Sequence, residues 1–184
     1  MGRDNACFSG FDESPIELGK VLVPLDFSDC SIQALPVALN FAKQFNGEIT
    51  LLAVIPDDHN PLEYGESEFI KSQERCREQF QNKLFELANE KLHGIHYHVV
   101  VRTGRVVEEI VRCAKELDLN LIIISTRGCS GIQNAELGST TERVVRHATC
   151  PVLVVRPQNL NSRRQSDGKL SSTESFSPGG FRSR

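Results

Sequence analysis

No tryptophan occurs among the 184 residues, and only two tyrosines, Tyr64 and Tyr97, and one methionine stand beside ten phenylalanines. A flavin ring stacked on indole or phenol groups would have little to rest on. No apolar run is long enough to span a bilayer, and the first twenty residues carry Asp4, Asp12, Glu13 and Glu17 where a secretory leader needs a continuous apolar stretch. None of the six cysteines (Cys7, Cys30, Cys76, Cys113, Cys129 and Cys150) belongs to a Cys-x-x-Cys pair, which argues against a structural zinc site or a redox dithiol. His96 and His98 share a face of one strand without a third ligand in view. An excess of either charge is missing as well. The 21 basic and 24 acidic side chains leave a formal charge of −3, which gives no general attraction to nucleic acid or to an anionic membrane. The expectation is a cytoplasmic protein with one core and no nucleic-acid or membrane partner.

Residues 1–17 are polar and show no sustained period, as expected of a flexible arm. Ordered sequence begins with Val21-Leu22-Val23-Pro24-Leu25-Asp26, an apolar strand followed by a helix cap at Ser28 or Asp29. Ala34, Ala38, Phe41 and Phe45 then form one helical stripe, which Pro36 should bend and Asn46-Gly47 should stop. Ile49 to Ile55 reads as a second strand. A turn-rich stretch leads into a charged helix over 67–93, striped by Phe69, Cys76, Phe80, Leu84 and Leu87. Tyr97 to Val101 is a third strand, and a helix after Gly104 should bury Val107, Ile110, Val111, Ala114 and Leu117. Leu121 to Ile124 and Val152 to Val155 complete the strands, giving β-α-β-α-β-α-β-α-β. Apolar strands alternating with helices imply a five-stranded parallel sheet covered on both faces, with right-handed crossovers and strand order 3-2-1-4-5. From Pro157 the composition turns to serine and arginine, and the 28-residue tail, with a net charge of +3, should be disordered. Its Arg163-Arg164-Gln165-Ser166 fits a basic-directed kinase, as many solvated tails do.

In such a sheet, ligands bind where strand order reverses, here between the first and fourth strands. Asp26 and a loop after the fourth strand border that crevice. The loop contains Ser125-Thr126-Arg127-Gly128, nine further residues, and Gly138-Ser139-Thr140-Thr141-Glu142. Glycines ahead of a helix start let a backbone approach phosphate oxygens, and the free N–H groups and positive dipole end of the helix attract an anion. A capping box, Ser139-x-x-Glu142, accounts for some of the same residues. There is neither a Gly-Lys-Ser/Thr sequence nor a Gly-x-Gly-x-x-Gly fingerprint, so a Walker loop and a dinucleotide-binding turn are excluded. Cys129 sits on the same loop, where positive potential would lower a thiol's pKa.

Over about residues 18–157 the chain resembles the universal stress protein family, in its nucleotide-binding branch. The resemblance rests on Val21 to Ser28, on Leu51-Leu52-Ala53-Val54, on Leu137 to Val144, and on His147-Ala148-Thr149-Cys150-Pro151 with the closing strand. The family's Gly-x2-Gly-x9-Gly-Ser/Thr pattern falls on Ser125, Gly128, Gly138 and Ser139, with serine in place of the first glycine. The resemblance implies the Rossmann-like fold of the adenine nucleotide alpha hydrolases, and it implies ATP as ligand, with ADP or AMP as alternatives and Mg²⁺ carried by the phosphates. It also implies that Asp26 meets the ribose, the backbone of Val54 the adenine, and Gly128, Gly138, Ser139 and Thr140 the phosphates. Pro24, Leu25, Ser125, Arg127 and Gly131 complete the expected binding set. A homodimer through Val152 to Val155, acting in stress response or signalling, is implied as well. Two alternatives stay open: a dimerisation and interaction module that binds no nucleotide, and a slow ATP hydrolase with Arg127 as charge clamp and Glu136 as base.

Overall fold

The computed structural model describes residues 18–57, 66–126 and 137–156, with the side chains of 66–69 left aside. The expected arm at 1–17, the tail from 158, and Arg127, Gly128, Cys129, Gly131 and Glu136 therefore lie outside the described residues. Five strands alternate with helices: β1 Lys20–Pro24, α1 Asp29–Ile32, α2 Ala34–Gln44, β2 Glu48–Ile55, α3 Glu66–Lys91, β3 His96–Thr103, α4 Val106–Glu116, β4 Leu121–Ser125, α5 Ser139–His147 and β5 Val152–Val155. All neighbouring strands pair in parallel, in the order β3-β2-β1-β4-β5. The expected sheet, order and helical layers are those observed.

Side-chain alternation divides the core into two layers. Val21, Val23, Leu51, Ala53 and Ile123 face the side covered by Ala34, Leu35 and Ala38 of α2 and Leu84 and Ala88 of α3. Leu22, Leu52, Ile122 and Ile124 face the side covered by Val107, Ile110, Cys113 and Ala114 of α4 and Val144 of α5. On that second side the partly buried Arg102 reaches from β3 to α4. Its guanidinium hydrogen-bonds Glu116 at 2.7 Å and lies 3.7 Å from the buried Glu109, which also accepts from Arg112 at 2.6 Å. Burial alone would lower the Arg102 pKa, but the hydrogen bond to Glu116 and the surrounding negative charge hold it above its usual value.

Several local expectations change. The chain after β1 forms two helices rather than one bent helix. The break falls at Gln33, and Pro36 lies in the first turn of α2, where its missing N–H costs no intrahelical bond. Ser28 is the cap of α1, and its side chain accepts from the Ser31 N–H. Leu117 is 42% exposed, because α4 stops one residue earlier and Asp118 turns into the left-handed region (φ 50°). Leu119 is buried in its place, and its N–H closes back on the Ala114 carbonyl at 2.8 Å. Phe45 is likewise exposed, because Asn46 takes the left-handed turn (φ 49°) after α2.

Burial pushes the thiols of Cys113 and Cys150 above their ordinary value. Cys113 is fully buried, whereas Cys30 and Cys76 are half-buried. Site-resolved alkylation of the native protein, read by mass spectrometry, is expected to modify Cys30 and Cys76 and to spare Cys113 until the fold opens. The unfolded thiol ionises while the buried one keeps its proton. Stability should therefore fall as pH rises through the thiol's ordinary 9.0, which denaturant titrations on either side of that pH will register.

Candidate functional site

The carboxyl ends of β1, β2 and β4 open into a cleft of about 380 Å³. That volume lies within the range of small-ligand pockets, ~300–1,000 Å³. The cleft sits where strand order reverses, β1 having β2 on one side and β4 on the other. Its walls are mainly apolar. Pro24 and Leu25 come from the end of β1, Leu52, Val54 and Pro56 from β2 and its exit, Ile124 from β4, and Val106 and Ile110 from α4. Phe80 of α3 closes one side. The polar lining is concentrated in Asp26, Ser31 and Ser125 and in the run Gly138 to Thr141.

Three backbone features give this lining its chemistry. First, β1 leaves the ladder after the Pro24–Leu52 pair, and the Leu25 N–H makes the last bond, to the Leu52 carbonyl at 2.8 Å. The N–H and C=O of Val54, two residues on and therefore on the same edge as those of Leu52, face the cleft beyond that point. An edge with one donor and one acceptor can read the hydrogen-bonding rim of a base. Second, α5 begins at the cleft with Gly138 as its cap, in extended backbone (φ −68°, ψ 148°) and with no side-chain hydrogen bond to the first turn. The N–H groups of Ser139, Thr140 and Thr141 have no intrahelical acceptor. Ser139 and Thr140 are exposed, and the positive end of the helix dipole points the same way.

The anticipated capping box does not form. Ser139 is the first helical residue rather than the cap, and Glu142 reaches forward to pair with Arg146 at 2.8 Å. This removes the competing explanation for the serine and leaves the helix start available to an anion.

Third, the two ends of the glycine-bearing loop are fastened together. The Gly138 N–H donates to the Thr126 carbonyl at 2.7 Å, and the buried Thr141 hydroxyl donates to the Ser125 carbonyl at 2.7 Å. Thr126 in turn donates its N–H to Val155 of the edge strand β5, at 2.8 Å. Ser125, where the family pattern has glycine, is the last residue of β4, and its φ is not positive, so its Cβ brings no backbone strain.

Of the expected binding residues, Pro24, Leu25, Asp26, Val54, Ser125, Gly138, Ser139 and Thr140 meet in this one cleft. Arg127, Gly128 and Gly131 fall outside the described residues. Sequence reasoning did not single out Phe80, Val106, Ile110, Ser31 or Thr141. The first three lie on apolar helical stripes whose register toward the cleft depends on tertiary packing, whereas Thr141 stood beside Thr140 in the string and could have been included. His96 and His98 are both exposed on β3, and His98 lies 3.3 Å from Glu48. Among the described residues no group of three His, Cys, Asp or Glu side chains could hold a metal ion, and no helix is long and apolar enough to cross a membrane.

Known proteins resemble this chain in architecture and in sequence. Universal stress protein MJ0531 of Methanocaldococcus jannaschii is 36% identical over 143 residues, covering 74% of this chain and 81% of the relative. The solved structure of the hypothetical protein MJ0577 from the same organism superposes with a TM-score of 0.67 at 29% identity, covering 78% of this chain and 99% of that one. A universal stress protein solved in complex with cAMP has a TM-score of 0.54 at 21% identity, covering 75% and 96%, a likeness of fold. The family model described as "Universal stress protein family" matches residues 17–156, and the chain belongs to that family.

Proposed function

We propose that the cleft binds an adenine nucleotide, ATP first among them, and that the protein acts as a nucleotide-responsive dimer in stress response or signalling. The observation that carries the reading is the start of α5, whose first turn receives no side-chain cap, in an apolar cleft that is also lined by Asp26 and the Val54 edge. A nucleotide has this sequence of parts: an anionic tail for a helix N-terminus, hydroxyls for a carboxylate, and a flat base for apolar walls with one backbone edge. Pro24, Leu25, Val106 and Ile110 would sandwich the base, and Asp26 would accept from the ribose. Ser139 and Thr140, with Gly138 beside them, would hold phosphate. Any Mg²⁺ is assigned to the phosphates, since the described residues offer it no cluster of their own. Turnover forms no part of the proposal.

The edge strand β5 supports the dimeric half of the reading. Val152 to Val155 are all half-buried, and the outer edge of β5 has no neighbouring strand among the described residues. A second copy could cover that edge. Calorimetric titration of nucleotide-stripped protein with ATP, ADP and AMP, each with and without Mg²⁺, is expected to give dissociation constants of about 10 μM or tighter for at least one of them. Flat titrations with all three would overturn the reading and favour the interaction module.

A further inference from the structure

Asp26 does not stand alone at the cleft. Its Oδ1 accepts two hydrogen bonds from Ser28, one from the backbone N–H at 3.0 Å and one from the side-chain hydroxyl at 2.6 Å. The first closes an Asx-turn; the second is short, as expected of a hydroxyl donating to a carboxylate. The direction of that second bond is forced. Ser28 Oγ accepts the Ser31 N–H at 3.1 Å as the cap of α1, and a carboxylate has no proton to give, so the serine's single proton goes to Asp26. Ser31 answers by donating its own hydroxyl to the Ser28 carbonyl at 3.0 Å, which ties the cap to a residue that lines the cleft.

The residue between them is held in an uncommon conformation. Phe27 has φ of 61°, a left-handed backbone that costs a non-glycine residue about 1 kcal/mol or more. Its ring meets that of Phe80 edge-on at 5.3 Å and 82°, and the Lys83 ammonium lies 5.4 Å over it. The left-handed step folds residue 28 back on residue 26. An N-cap alone needs none of this, since a serine caps a helix through its acceptor lone pair whether or not its proton has a carboxylate to meet.

We propose that Ser28 is the positioning residue that sets how Asp26 is presented to a ligand's vicinal hydroxyls, and so sets the preference for a ribose over a deoxyribose ligand. The inference rests on the nucleotide reading above. Both Ser28 donors act on the same carboxylate oxygen, so together they restrain how Asp26 is held at the cleft it lines. Without the Ser28 hydroxyl Asp26 could still accept hydrogen bonds, but the shorter of the two donors that orient its carboxylate would be gone, and with it part of the advantage of meeting two hydroxyls at once. The expected signature is therefore in discrimination rather than in affinity for every ligand.

The test compares ATP with 2′-deoxy-ATP by calorimetry on the full chain, for wild type, Ser28→Ala and Ser28→Thr. The wild type is expected to prefer ATP by about tenfold or more, the scale of one hydrogen bond to a charged group. Ser28→Ala should reduce the preference to about threefold or less, with ATP weakened more than 2′-deoxy-ATP, since the deoxy ligand has only its 3′ hydroxyl to lose at Asp26. Ser28→Thr keeps the hydroxyl and should restore the preference, which separates positioning from capping and also controls for a poorly folded alanine variant. If Ser28→Ala weakens both ligands by the same factor, or if the ratio is unchanged, the inference is overturned and the nucleotide reading stands. If wild type binds neither ligand, both fall.

Discussion

Replacing Gly138 with aspartate is expected to remove ATP binding while leaving the fold as stable as before, or slightly more stable. Gly138 caps α5 in extended backbone, φ −68° and ψ 148°, a conformation open to any residue, so the substitution brings no backbone strain. Aspartate is a better cap than glycine by a few tenths of a kcal/mol, because its carboxylate accepts from the N–H of the second or third helical residue. Those residues are Thr140 and Thr141, and Thr140 is one of the two residues proposed to hold phosphate. The same side chain that completes the helix would thus occupy the anion site and bring negative charge to it. Like charges brought together at a site cost several kcal/mol, so the affinity should fall about 100-fold or more. Gly138→Asn offers the same competition without the charge and should cost about tenfold. Thermal denaturation read beside calorimetry separates the two effects. Unchanged ATP affinity in a folded Gly138→Asp protein would remove the helix start from the binding site.

Much of this arrangement was legible in the chain, and the parts that were not share a physical cause. Strands buried on both faces announce themselves as unbroken apolar runs, so Val21-Leu22-Val23 and Leu121 to Ile124 marked β1 and β4, and the crossovers between them dictated the parallel order. The crevice followed from that order. Edge positions were harder, because β3 extends to His96 and Thr103 through residues whose side chains are half-buried or exposed and carry no apolar signature. Helix ends were harder still. Leu117 continues the apolar period of α4 by sequence, yet the left-handed Asp118 ends the helix and turns Leu119 inward instead. The capping box at Ser139-x-x-Glu142 fits the local pattern, but the chain enters α5 with Gly138 hydrogen-bonded to Thr126, which shifts the cap by one residue. Neither event is encoded within the window of residues that suggested otherwise. The double role of Ser28 escaped for a similar reason: a serine before a helix reads as a cap, and its bonds to Asp26 show only in the folded turn around the left-handed Phe27.

At the opposite end of the sheet, Gly47→Ala is expected to be strongly destabilising. The reason is close backbone approach rather than torsion, since Gly47 has no positive φ. After α2 the left-handed Asn46 lets the Gly47 N–H return to the Ala42 carbonyl at 2.8 Å, and the chain then enters β2 with the Glu48 N–H bonded to the Gly19 carbonyl at 2.7 Å. This sets two backbones against each other at the first rung of the β1–β2 ladder. A Cβ on Gly47 would stand 2.0 Å from the Gly19 oxygen and 2.7 Å from its Cα, and backbone atoms cannot swing aside as a side chain can. Relief requires parting the strands at Lys20 and Glu48, with loss of that hydrogen bond and of packing around Ile49, so the cost should be about 3 kcal/mol. Gly19→Ala supplies the contrast across the same gap: its Cβ would lie 3.8 Å from the Gly47 Cα, an ordinary contact, and the change should stay within about 0.5 kcal/mol. Urea denaturation of the two variants measures the difference directly. Equal stabilities would mean that β1 and β2 do not approach this closely at their start. If the asymmetry holds, the folded fraction of Gly47→Ala should still bind nucleotide with wild-type affinity, because the contact it disturbs lies at the far end of the strands from the cleft.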